Sequence, residues 1–109
     1  NRLGTDGELI KFNKDGSTVG SIGTANARLS IGGTDTGIMF KDSADNVIPW
    51  NTGSNGSRDG AISLGEGGGR FKDLYLSGGV FLGGTGVDNH LHDYEEGLFT
   101  VSVWLLCQG

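Results

Sequence analysis

Short stretches of alternating apolar residues that end in glycine recur along this chain. Leu29-Ser30-Ile31-Gly32, Ile62-Ser63-Leu64-Gly65, Leu74-Tyr75-Leu76-Ser77-Gly78 and Val80-Phe81-Leu82-Gly83 share one local pattern. Alternation places residues i and i+2 on the same face of a strand, and glycine then lets the backbone turn sharply. A strand this short cannot bury its own apolar face, so it must be covered by other strands or other chains. The spacing between the copies is irregular, which excludes a clean solenoid repeat. The pattern defines an all-β chain of short strands and Gly-rich turns.

Composition supports order without a large core. Of 109 residues, 22 are glycine and one is proline. Leu, Ile, Val and Phe still make up roughly a quarter of the chain, above the share found in disordered sequences. The glycines cluster at the ends of apolar runs and hold no every-third register, so a collagen helix is excluded.

Two hairpins are legible in the first half. Glu8-Leu9-Ile10-Lys11-Phe12 places Ile10 and Phe12 on one face. Asn13-Lys14-Asp15-Gly16 is a turn sequence, and Ser17 to Ile22 forms the return strand. A second hairpin spans 28–41, with Leu29 and Ile31 facing one way and Ile38 and Phe40 facing one way on the return. Asp42 to Asn46 turns the chain again into Val47-Ile48-Pro49-Trp50. Pro49 has no N–H, which assigns that strand to an edge or places Pro49 at the strand's end. Residues 51–60 read as a loop, since no large apolar side chain lies among them.

Several classes are excluded. The net charge of −5, with acidic residues spread along the chain, argues against nucleic acid or an anionic membrane as partner. Lone Cys107 has no partner for an internal disulfide. No apolar run approaches membrane-spanning length, so no membrane insertion is expected. The polar start, Asn1-Arg2-Leu3-Gly4, lacks a signal-peptide pattern and reads as a fragment or processed piece of something longer. Thin apolar stripes on short strands are best buried by wrapping several chains around one axis, so a homo-oligomer is expected.

Residues 59–97 carry a family resemblance. Asp59-Gly60-Ala61-Ile62-Ser63-Leu64-Gly65, the run Arg70-Phe71-Lys72-Asp73-Leu74-Tyr75-Leu76-Ser77-Gly78-Gly79-Val80, and Asp93-Tyr94-Glu95-Glu96-Gly97 closely resemble tail-fibre-like appendage proteins of bacteriophages, many of them marine. Lys14 to Gly23 and Ile48-Pro49-Trp50-Asn51 look like the same family. The resemblance implies an intertwined trimeric β-prism or triple-β-helix-like fibre segment in the virion. It also implies a homotrimer joined to other virion tail proteins and supporting host attachment. The chain then reads as three regions: hairpins over 1–58, the family-like region over 59–97, and an apolar strand over 98–109. That last stretch departs from the family, which is expected to continue there into a Thr-Trp-Thr-Pro-like sequence. Phe99, Val101, Val103 and Leu105 share one face of it, and such a strand is expected to be buried between subunits, bound to another virion protein, or a site where the chain was cut.

Candidate chemistry is sparse. His90-Leu91-His92 puts two imidazoles on one strand face, and three such pairs on a trimer axis would offer six nitrogens to iron or another transition metal. The resemblance implies the same, since histidine pairs of this kind hold iron in some phage fibres. The competing reading is two solvated histidines in a polar turn beside Asp88, Asn89 and Asp93. Gly83-Gly84-Thr85-Gly86-Val87-Asp88 echoes a calcium β-roll turn, but one copy makes no site, because each ion sits between successive turns. The acidic pairs Asp6/Glu8 and Asp93/Glu95 could share strand faces, as glycoside hydrolysis would require. Such pairs in an acidic chain read as solvated surface. No nucleophile elbow or phosphate loop is present, so the chain is expected not to be an enzyme. Asn55-Gly56-Ser57 matches a glycosylation sequon. Trp50, Phe71, Tyr75, Phe81, Tyr94 and Trp104 could stack on sugars or pack against subunits, with Trp50 the least secure as core. Three functions therefore compete: a structural fibre segment, a module binding host glycan or protein, and, third, a polysaccharide depolymerase.

Overall fold

The computed structural model describes residues 3–91. The chain divides into two compact units, Asn1–Gly69 and Arg70–Gly109. The described residues contain only strands, turns and two short 3-10 turns, Asp42–Ala44 and Val87–Asn89. The fold is all-β, as the punctuated alternation predicts.

The first unit is a curled antiparallel meander of six strands whose order in the sheet follows the chain. Its strands are β1 (Gly7–Lys14), β2 (Ser17–Ala25), β3 (Arg28–Gly32), β4 (Gly37–Lys41), β5 (Asn46–Asn51) and β6 (Gly56–Ser57). The first hairpin closes on Asp15 and Gly16, both at positive φ (51° and 81°). Two positive φ values in a two-residue loop match the right-handed twist of the strands, and Asp-Gly is well suited to them. Asn13 and Lys14, read as turn residues from sequence, belong to β1. The β2–β3 turn uses Asn26 and Ala27 at positive φ (51° and 62°). Sequence reading misses this turn because it contains no glycine.

The strand carrying Pro49 is not an edge: β5 pairs with β4 along its length and with β6 at Trp50 and Asn51. The Pro49 carbonyl accepts from Arg58 N–H at 3.3 Å, on the β6 side. In an antiparallel strand a residue's N and C=O point to the same side, so the missing donor also faces β6, which is only two residues long. The stretch read as loop, 51–60, thus contains a strand.

The core lies on one face of the sheet and is small. Buried apolar residues there are Ala25, Met39 (1 % exposed) and Trp50 (9 % exposed), with Ile48 packed against them. Ser21, Ser30, Gly23 and Gly37 complete the buried positions of this face. Trp50, the least secure core candidate from sequence, is therefore core: its strand curls over the face instead of ending in an open loop.

The second unit holds a small hairpin of β7 (Val80–Phe81) and β8 (His90–Leu91), paired antiparallel. Asn89 ties it together, accepting from Leu82 N–H through its carbonyl and donating from Nδ2 to Leu82 O, both at 2.8 Å. Of the four apolar-x-apolar-Gly copies, 29–32 and 80–83 contribute strands, whereas 62–65 and 74–78 do not. No neighbouring strand of the described chain lies in register with the latter two, and an unpaired segment cannot form a ladder.

Candidate functional site

Register builds a row of like side chains across the sheet face opposite the core. Ile10 pairs with Ile22, Ile22 with Ile31, Ile31 with Ile38, and Ile38 with Pro49. Two residues along the strands, Thr24 pairs with Leu29 and Phe40 with Val47. Phe12, two residues on from Ile10, stands opposite Gly20. A β-bulge at Leu9 keeps Ile10 and Phe12 in phase with the other isoleucines despite the extra residue. The face is bare: Ile10, Ile31 and Ile38 are 40–50 % exposed, and Val47 is 56 % exposed.

Charges sit on the other side. Glu8 pairs with Gly23 and Lys11 with Ser21, positions on the core face, and Lys11 Nζ lies 3.4 Å from the Glu8 carboxylate. Arg28 pairs with Ala25 on that side and reaches the Ser43 hydroxyl at 3.5 Å. Apart from Met39, Ile48 and Trp50, the core side thus carries charged and small residues, while Ile10, Ile22, Ile31, Ile38, Phe12 and Val47 stand on the other side. Contiguous apolar surface of this kind marks an interaction site.

Asn55 closes the core side. Its Oδ1 accepts from Trp50 Nε1 at 3.2 Å and its Nδ2 donates to the Thr24 carbonyl at 3.1 Å, tying the β5–β6 turn to β2. Asn55 has φ 59°, a left-handed conformation that Asn tolerates better than most residues. Its side-chain amide is occupied by these bonds, so the sequon at 55–57 is not a free acceptor in the folded chain. Sequence reading took Asn55 only as the head of a sequon, although Asn-Gly between two short strands is a hairpin signature.

The chemistry-bearing residues named from sequence do not converge. His90 lies stacked on Phe81, with ring centroids 4.4 Å apart and an interplanar angle of 17°. His92, Asp93, Tyr94, Glu95 and Trp104 lie outside the described residues. Among the described residues, no group of three or more His, Cys, Asp or Glu is placed to hold a metal ion. Asp6 accepts from the Asn26 N–H at 3.0 Å, fixing the β2–β3 turn, and Glu8 pairs with Lys11, so the two acids serve separate contacts. Phe71 (67 % exposed) and Tyr75 (91 % exposed) are bare in the second unit. Among the described residues no helix is long and apolar enough to cross a membrane.

Comparison of the chain with family models, with curated proteins and with solved structures gave no match.

Proposed function

We propose that this chain is a non-enzymatic structural segment of a bacteriophage tail fibre or related virion appendage, working as a homotrimer that supports host attachment. One observation carries the structural part of the reading. The sheet buries only Ala25, Met39 and Trp50 as apolar core and leaves its isoleucine row bare, so its apolar surface is satisfied by partner chains. A trimeric β-prism or triple-β-helix-like fibre buries such faces around a common axis. The virion setting rests on the resemblance of residues 59–97 to phage appendage proteins, and neighbouring tail proteins are the corresponding partners.

Immunogold labelling tests the setting. An antibody raised against the chain should decorate the tail appendages of virions whose genome encodes it. Purified virions that carry the chain nowhere, by mass spectrometry and labelling together, overturn the reading.

A second reading follows from Phe71, flanked by Arg70 and Lys72, and from Tyr75, exposed aromatics that suit stacking on a host glycan. A glycan array probed with the intact chain and with Tyr75→Ala separates the two. Binding lost in the variant favours recognition by this segment, and no binding by either leaves the structural role.

A further inference from the structure

We infer that the isoleucine face of the six-stranded sheet is the surface on which copies of this chain pack against one another. The inference rests on the homo-oligomeric reading above and deepens it by naming the surface.

Area and charge both favour a second copy as occupant. Five strands about 4.8 Å apart, bearing two rows of side chains about 7 Å apart with Phe12 beyond them, present a face of roughly 20 by 20 Å. Two such faces laid together bury on the order of 1,000 Å², the scale at which a specific interface begins. The chain carries a net charge of −5, so its copies repel one another wherever charge is displayed. The rows running from Ile10 and Ile22 to Ile31 and Ile38 hold no charged side chain, and Glu8 and Lys11 of the same strand point to the opposite side. An acidic or basic partner would find no counter-charge here, whereas another copy of the same neutral face loses no ion hydration on contact.

Phe12 pairs with Gly20, which is buried with the Gly32 carbonyl over it, so the ring stands beyond the isoleucine row with no charged neighbour on this face. Symmetric interfaces join like patches, so a neutral apolar face on one copy meets the same face on the next. Sheets packed face to face settle about 10 Å apart with interdigitated side chains, and β-branched rows suit that packing.

Sedimentation velocity on the full chain tests the assignment, with Trp50 fluorescence, read in Trp104→Phe versions of each variant, as the check on folding. The variants are Ile31→Lys/Ile38→Lys, the milder Ile31→Thr/Ile38→Thr, and Leu64→Lys as control at an exposed apolar site outside the strands. The expected result is an oligomeric wild type and an unchanged control. The lysine pair should give monomer, or a dissociation constant raised at least roughly a hundred-fold, with the Trp50 signal kept. If the lysine pair loses the Trp50 signal, the threonine pair decides, since it keeps β-branching while removing apolar surface. An oligomer unaltered in both double variants overturns this surface and leaves the oligomeric reading standing. A monomeric wild type overturns both.

Discussion

Asn55→Ala should be among the most damaging side-chain truncations outside the apolar core of the sheet. The substitution removes both bonds of the Asn55 amide, at 3.2 Å from Trp50 Nε1 and at 3.1 Å to Thr24 O. It leaves an indole N–H on a residue only 9 % exposed, and a carbonyl of β2, without these partners. Each lost bond at a part-buried site costs about 1 kcal/mol, and more if the indole stays unsatisfied. Alanine must also hold the left-handed φ of 59°, which adds roughly 1 kcal/mol. The expected loss is about 2–3 kcal/mol, a large fraction of the stability of so small a unit.

Two companion substitutions separate the contributions. Asn55→Gly accepts the left-handed backbone freely and loses only the bonds, so it should cost about 1 kcal/mol less than alanine. Asn55→Asp keeps an acceptor for the indole but turns a carboxylate oxygen toward the Thr24 carbonyl, and should fall near alanine. Urea unfolding followed by fluorescence, in a Trp104→Phe background so that Trp50 reports alone, reads all three. With a slope of about 1 kcal/mol per molar urea for a unit this size, alanine should lower the midpoint by about 2 M. An alanine variant within ~0.5 kcal/mol of the parent would show that the latch contributes little. A glycine variant less stable than alanine would refute the backbone part of the reasoning.

The other expectations use the same unfolding assay. Met39→Ala empties the most buried apolar position and should cost about 2–5 kcal/mol. Gly37→Ala should be severely destabilising, because the added Cβ would stand 2.8 Å from Ile31 O and 2.9 Å from Gly32 Cα. Gly67→Ala, with nothing within 4 Å of its new Cβ, should stay within ~0.5 kcal/mol of wild type. Ala27→Gly should raise stability by roughly 0.5 kcal/mol, since Ala27 holds φ 62° and Asn-Gly suits this turn better than Asn-Ala. A loss of stability there would show that the extra chain entropy of glycine outweighs the relieved strain.

Much of the meander was legible because alternation and turn chemistry act locally. Ile10 with Phe12, Leu29 with Ile31, and Ile38 with Phe40 each fall on one face, as period two requires, and Asp15-Gly16 turns the chain as its composition dictates. The Asn26-Ala27 turn was not legible, because alanine at positive φ has no local preference behind it; tertiary pairing of Ala25 with Arg28 holds it there. Pro49 misled for a related reason: a missing N–H says only that no bond forms on one side, and here that side is where β6 runs out. Asn55 was hidden because its two partners lie five and thirty-one residues away in sequence. A loop composition of small polar residues carries no trace of such long-range bonds.

Period two also says nothing about which face is buried. Hydrophobicity alone would put the isoleucines inside, yet the sheet closes on Ser21, Gly23, Ala25, Ser30 and Gly37. Curling explains the choice. A concave face converges its side chains, so it must be lined by small ones if a single indole and Met39 are to fill it. The convex face spreads its side chains apart, and bulky β-branched residues fit there without crowding. Putting the isoleucines on the concave side would overpack it and open the sheet, removing the contact between Asn55 and Thr24 that closes it. A single short-stranded chain can therefore satisfy one of its faces and not both. The glycines that let it curl around Trp50 are what leave the isoleucine row exposed.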